Sequence, residues 1–166
     1  MLSVNYQYTN DIDWFCIQHN QHIHVASNGH TLPIEINNEQ ILAEIQHYVA
    51  NMPLLYKYKL NRDYLNQILN DGRYEHIEHL SKEDIRIIIP VDVEIEEDLS
   101  PQELTYCWSF IEMAQKGFFS YDRGDDGYHL IAQPTELLDD SQTVNYPPNL
   151  PQLESEDIPL INSPEK

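Results

Sequence analysis

The segment from Ser100 to Gly117 carries the strongest local signal in this 166-residue chain. Ser100 and Glu103 form a capping box with Pro101 at the first helical position, and Gly117 provides a helix stop. Between these signals, apolar residues recur at helical spacing: Leu104, Cys107, Trp108, Ile111 and Ala114. The segment therefore predicts an amphipathic helix whose apolar face, including Trp108, lies in the core.

Two other segments predict β-hairpins. Residues 13–17 and 22–26 are short apolar runs on either side of a polar centre, His19-Asn20-Gln21. After the capped helix, residues 118–122 and 128–132 flank a turn that contains Gly124 and Gly127. We expect both pairs of runs to form antiparallel strands.

The central third of the chain alternates helical and extended patterns. Residues 39–51 and 62–70 have capping residues and apolar stripes of helical spacing, whereas residues 73–81 fit either a short helix or a loop. Residues 85–96 carry β-branched residues at every odd position, which predicts a strand with one buried face. Pro90 favours an edge strand or a break.

These elements predict an α+β fold in a single domain. We expect an antiparallel sheet, made of two hairpins plus a strand, packed by about three helices. The domain spans residues 1–135, and residues 136–166 form an extended, acidic tail with five of the ten prolines. We expect this tail to be weakly ordered or packed on the body through its apolar residues: Leu150, Leu153, Ile158, Leu160 and Ile161.

The net charge restricts the partners of this chain. Nine Lys and Arg residues against 28 Asp and Glu residues give −19 at neutral pH. Such a charge repels phosphates, so we expect no nucleic acid and no anionic membrane as partner, whereas a basic protein fits. The first residues show no secretory signal and no apolar run reaches the length of a membrane span, so we expect a cytoplasmic protein.

The acidic residues most suited to bind a partner follow from the predicted strand and turn. The alternation over residues 85–96 places Asp92, Glu94 and Glu96 on one outward face, which Glu97 and Asp98 extend into the next loop. Asp125 and Asp126 occupy the predicted turn of the second hairpin, at a distance that the sequence does not define. We predict these seven residues as the partner-binding site.

Catalytic and metal sites are weaker candidates. His22 and His24 share one strand face and lie close to His19, which suits a metal only if further ligands converge there. His76 and His79 offer another pair if their segment is helical. Cys16 and Cys107 lie in apolar surroundings that favour core thiols over nucleophiles. We therefore expect no metal, no cofactor and no catalytic residue.

Two parts of the sequence resemble a group of small bacterial proteins. The first part reads WFCI at residues 14–17, HVASNG at 24–29 and LP at 32–33. The second reads FIEMAQKGFFSYD at 110–122 and YHLIAQP at 128–134. This group looks like the immunity proteins that accompany polymorphic or secretion-delivered toxins, and the resemblance covers residues 13–33 and 108–134.

The resemblance implies a small, acidic, non-enzymatic protein that binds and blocks a cognate toxin. We expect the acidic surface to cover a basic active-site cleft, such as that of a nuclease. One alternative is a small metal-dependent hydrolase that uses the histidines between His19 and His24. Another is an adaptor that binds through its C-terminal tail.

Overall fold

A computed structural model describes residues 1–70, 81–96 and 98–159. The strands are β1 (Asp13–Gln18), β2 (Gln21–Ala26), β3 (Tyr56–Leu60), β4 (Phe119–Gly124) and β5 (Gly127–Leu137). The helices of the described residues are α1 (Val4–Thr9), α2 (Glu39–Ala50), α3 (Arg62–Asn70), α4 (Lys82–Ile88) and α5 (Pro101–Gln115). The strands form one sheet in the order β1-β2-β4-β5-β3, so the predicted α+β class and single domain are confirmed.

One strand pairing differs from the predicted antiparallel sheet. β2 and β4 run parallel, with Ile23 opposite Phe119, whereas the other three pairings are antiparallel. Parallel neighbours require a long crossover, and here the connecting chain contains α2, β3, α3, α4 and α5. Because β1 and β3 occupy the two edges, each has one side without a strand neighbour.

The first predicted hairpin is confirmed as β1 and β2. Its two-residue turn holds His19 and Asn20 at φ values of 52° and 62°, a left-handed pair that matches the twist of the strands. Both faces of this hairpin carry buried side chains. Trp14 and Cys16 belong to one apolar cluster, and Phe15 belongs to another with residues of α2.

The capped helix is confirmed as α5. Ser100 and Glu103 exchange both capping-box hydrogen bonds, and Gly117 follows the helix at φ 105°. A Cβ at Gly117 would lie 2.6 Å from the Tyr146 hydroxyl oxygen, so this position requires glycine. The sequence placed Trp108 on the buried face, but it is only partly buried, and Phe110 is buried there instead.

The predicted strand over residues 85–96 is wrong. Ser81 and Asp84 form a capping box that starts helix α4, and the chain from Pro90 onward is a loop. Ile85, Ile89 and Val93 are buried, at a spacing of four residues that fits both a strand face and a helix face. The capping box therefore decides for the helix. As a consequence, Asp92, Glu94 and Glu96 do not share the outward face of a strand.

The chain after β5 packs along the first hairpin. Ile17 donates its backbone N–H to Pro151 and accepts one from Leu153, so this segment forms a short parallel bridge on the free edge of β1. Leu153 and Ile158 are buried against the face that carries Trp14. Residues 151–153 thus cover an edge that would otherwise be open for pairing. The predicted contacts of Leu160 and Ile161, and the segment around His76 and His79, lie outside the described residues.

Candidate functional site

The predicted acidic site residues occupy two segments of the fold. Asp92, Glu94, Glu96 and Asp98 lie in the loop between α4 and α5, and Glu97 lies outside the described residues. Asp125 and Asp126 form the two-residue turn between β4 and β5, where Gly124 pairs with Gly127. The side chains of both turn residues are highly exposed.

Arg62, the first residue of α3, binds two carboxylates of the loop between α4 and α5, which we call the interhelical loop. Its guanidinium donates to both carboxylate oxygens of Asp98, at 3.2 and 3.4 Å, and also contacts the Glu96 carboxylate. Two parallel N–H···O bonds of this kind fix orientation as well as charge. Glu96 and Asp98 are therefore held at the N-terminal end of α3.

The β4–β5 turn approaches the same end of α3. The Nε2 atom of His129 lies 2.7 Å from a carboxylate oxygen of Asp126. The imidazole of His129 also stacks on the ring of Tyr64 in α3, with ring centroids 4.4 Å apart. Asn61, which precedes α3, donates to the carbonyl of Leu130 at 2.9 Å. Both acidic segments thus have contacts near the start of α3.

We call the described carboxylates of the interhelical loop and the β4–β5 turn the acidic surface: Asp92, Glu94, Glu96, Asp98, Asp125 and Asp126. Within the described residues, Asp92 and Glu94 make no ion pair, whereas Asp125 lies 3.0 Å from Nε2 of His30. The hydrogen bond from His129 lowers the pKa of Asp126, so this carboxyl is charged at neutral pH. Even if Arg62 and both histidines are counted as cations, the six carboxylates leave the surface negative.

The Tyr58 hydroxyl is affected by charges of the same region. Burial raises the pKa of this hydroxyl above its ordinary value. The charges of Glu94 and Asp98 act in the same direction, whereas that of Arg62 opposes them.

The predicted histidine cluster is divided among separate contacts. His22 stacks on Tyr146 with ring centroids 3.5 Å apart, and His19 lies 3.0 Å from a carboxylate oxygen of Asp157. His24 is buried and bonds elsewhere in the sheet. Across residues 1–70, 81–96 and 98–159, the structure contains no group of three or more His, Cys, Asp or Glu side chains placed to hold a metal ion.

His24 joins two other polar side chains in an arrangement that the sequence did not reveal. Its Nδ1 atom lies 2.6 Å from the Ser120 hydroxyl, and its Nε2 atom lies 2.7 Å from a carboxylate oxygen of Asp13. Burial acts to raise the pKa of Asp13, but the hydrogen bond and charge of His24 outweigh it and hold that pKa below its ordinary value. The trio joins β1, β2 and β4.

The geometry of this trio fits a structural role, in which the hydrogen bonds of His24 hold three strands together. A nucleophile, base and acid have similar mutual distances in hydrolases, but the nucleophile there must reach substrate. Ser120 is 0% exposed and His24 is 1% exposed, so neither is accessible from solvent in this structure. Three satisfied polar side chains at a parallel pairing fix the alignment of the strands.

The cysteines occupy the core positions that the sequence indicated. Burial raises the pKa of the Cys16 thiol to about 12 and that of the Cys107 thiol to about 12. The thiolate is the reactive form of cysteine, and it is scarcely populated near neutral pH at such values.

A cavity of about 560 Å³ opens between α1, α2 and α5. Lys116 lies in its wall, 4% exposed, and its ammonium donates to the Val49 carbonyl at 2.9 Å and to Glu112 at 3.3 Å. Asp11, Asp13 and other carboxylates line the opening. Because the lysine is already engaged within the protein, the cavity wall offers mainly negative charge.

Comparison with protein-family models, with curated proteins and with solved structures found no match to this chain. Within the part of the chain that the structure describes, no helix combines the length and the apolar character that crossing a bilayer requires.

Proposed function

We propose that this chain is an immunity-type protein that binds a cognate bacterial toxin and blocks it stoichiometrically. The observation that carries the proposal is the acidic surface, whose interhelical loop and β4–β5 turn each have a contact with the start of α3, in a chain of net charge −19. The toxin carries the opposite charge, and the protein works in the cytoplasm without catalysis of its own.

The proposed mechanism is occlusion of a basic cleft. A nuclease must attract phosphate, so its substrate-binding cleft is lined with Lys and Arg. The carboxylates of Asp92 and Glu94, which have no ion-pair partner among the described residues, can take the place of the phosphates there. Glu96 and Asp98, tied to Arg62, give the surface a fixed shape.

The charges at the rim of such an interface act mainly on the rate of association. Attraction between unlike fields raises this rate, and salt screens it with a Debye length of about 8 Å at physiological ionic strength. We therefore expect association with the toxin to slow by about tenfold or more between low and high salt.

The test uses a partner recovered by pull-down from the source cell and stopped-flow measurement of its association rate. Asp92→Lys combined with Glu94→Lys should slow association and reduce its dependence on salt. The charge-matched control combines Glu44→Lys, on α2, with Asp140→Lys, beyond the end of β5 that is opposite the Asp125–Asp126 turn. Full-speed association of the first variant, or equal slowing by the control, would contradict the proposal.

A further inference from the structure

The C-terminal end of α4 presents bare aliphatic side chains beside the acidic surface. Ile87 is 85% exposed and Val91 is 94% exposed, and Ile88 between them is 60% exposed. Their neighbours Ile85 and Ile89 are 1% and 3% exposed, so α4 is firmly packed through its other side. We call Ile87, Ile88 and Val91 the apolar patch.

The patch is a group of neighbouring exposed aliphatic side chains and not a single exposed residue. Its three members lie within five residues of one another. The exposed charged side chains on both sides of it in the chain are mainly acidic: Glu83, Asp84 and Arg86 before, Asp92 and Glu94 after. Apolar side chains surrounded by charge are the usual composition of a protein–protein interface, with an apolar centre and a polar rim.

We infer that the apolar patch is the centre of the contact with a basic protein whose own surface places apolar side chains among its Lys and Arg residues. This inference rests on the proposed function and names the part of the surface that gives the complex its lifetime. The carboxylates around the patch steer the partner, and burial of Ile87 and Val91 retains it.

Charge complementarity selects this occupant over two others. A second copy of the chain in a two-fold contact would place each patch, with its carboxylates, against an identical acidic rim. An anionic membrane would meet the same repulsion. A surface rich in Lys and Arg is attracted by the rim and can cover the aliphatic side chains at the same time.

The experiment compares two synthetic peptides of equal length and equal lysine content. One has leucine and the other has serine between the lysines, and both are titrated against the full chain at physiological ionic strength. Burial of leucines on the patch should give the leucine peptide at least about tenfold tighter binding. The variant Ile87→Ser, Val91→Ser should abolish this difference and leave binding of the serine peptide unchanged.

The matched control is Ile34→Ser, which alters an isoleucine that is 76% exposed in the loop before α2. It should keep the preference for the leucine peptide. Equal binding of both peptides, or loss of the preference in the control alone, would overturn the inference and leave the proposed function standing. Absence of salt-sensitive binding by either peptide would overturn both.

Two further measurements identify a different occupant. Sedimentation of wild type as a dimer and of Ile87→Ser, Val91→Ser as a monomer would assign the patch to a second copy and overturn the inference. Binding of the wild type to phosphatidylserine vesicles that the same variant loses would assign it to a membrane and overturn it as well.

Discussion

The β1 edge and the C-terminal end of α4 both carry aliphatic side chains at the surface of the body, but their surroundings differ. Residues 151–158 run along the β1 side and bury Leu153 and Ile158 there. Ile87 and Val91 at the end of α4 stay open to solvent in the described structure. Apolar surface therefore has two roles in this molecule. The covered surface beside β1 stabilises the fold, whereas the apolar patch at the end of α4 is exposed and free to contact a partner.

Hydrogen bonds make the covered side specific. Gln18 is buried and donates to the carbonyls of Leu153 and Glu156, at 3.1 and 2.7 Å, while its side-chain oxygen accepts the Ile158 N–H at 2.8 Å. Tyr121 donates its hydroxyl to the Pro159 carbonyl at 3.1 Å. Gln18 thus forms hydrogen bonds with three main-chain groups of the covering segment, and these bonds fix the position of the segment along β1.

Deletion of residues 138–166 should have the largest effect on this comparison. It removes the buried side chains of Leu153 and Ile158, each worth about 2–5 kcal/mol, and reopens the β1 edge. We expect a loss of about 5 kcal/mol or more, which is comparable to the whole stability of a small domain. Urea denaturation followed by tryptophan fluorescence measures it.

A chain that ends at Pro159 is the control for this deletion, because it keeps the contacts of Leu153, Ile158 and Tyr121. It should unfold near wild type. A cooperative transition at the wild-type urea concentration after deletion of residues 138–166 would show that the segment does not contribute to the stability of the fold.

Two isoleucines sharpen the contrast by identical chemistry. Ile158→Ala removes a side chain that is 1% exposed, so it should cost about 2–5 kcal/mol of unfolding free energy. Ile87→Ala alters one that is 85% exposed and should stay within about 0.5 kcal/mol of wild type. Equal costs in urea denaturation would remove the distinction between the two surfaces.

Gln18→Ala tests the polar part of the covered side. The change leaves the Ile158 N–H and two carbonyls without their partner, and we expect a loss of about 1–3 kcal/mol. Gln142→Ala, at an exposed position of the same segment, should have almost no effect. Thermal denaturation of the two variants side by side gives the difference, and equal midpoints would contradict the role of Gln18.

The smallest expected effect depends on pH. Glu35 accepts hydrogen bonds from the Ser155 hydroxyl and from the backbone N–H groups of Glu154 and Ser155, which lower its pKa from 4.5 to about 2. Because the pKa is lower in the folded state, this contribution is complete above pH 4.5 and disappears as the pH falls towards 2.

Glu35→Gln should therefore remove part of the acid sensitivity of the covering segment. The protection factors of the Glu154 and Ser155 amides, corrected for the intrinsic exchange rate at each pH, should fall less steeply from neutral pH to acid in this variant than in wild type. Identical pH profiles would mean that Glu35 does not anchor the segment.

Local signals in the sequence were sufficient for α5, for α2 and α3, and for both hairpins, because capping residues, turns and apolar spacing lie within each element. β3, for which the sequence analysis predicts no strand, carries a weak local signal in the alternation of Tyr56, Lys57 and Tyr58. The strand predicted over residues 85–96 is wrong because a spacing of four residues satisfies two periodicities, and the capping box that decides for the helix lies before this segment, at Ser81.

The parallel pairing of β2 with β4 and the site itself depend on contacts between distant parts of the chain. Arg62 meets Asp98 across 36 residues, and His24 meets Ser120 across 96. No local sequence pattern predicts contacts between residues so far apart in the chain. The charge of the chain indicated an acidic surface in advance, but only the fold brings the β4–β5 turn to the same end of α3.

Hydrogen exchange of the protein, alone and in complex with the partner recovered from the source cell, tests the central claim most directly. We predict that complex formation slows exchange over residues 83–96 and at the Asp125–Asp126 turn, while the first hairpin and residues 150–158 exchange as in the free protein. Slowing confined to the hairpin and to residues 150–158 would contradict the account, because the partner would then bind the covered side and leave the acidic surface and the apolar patch free.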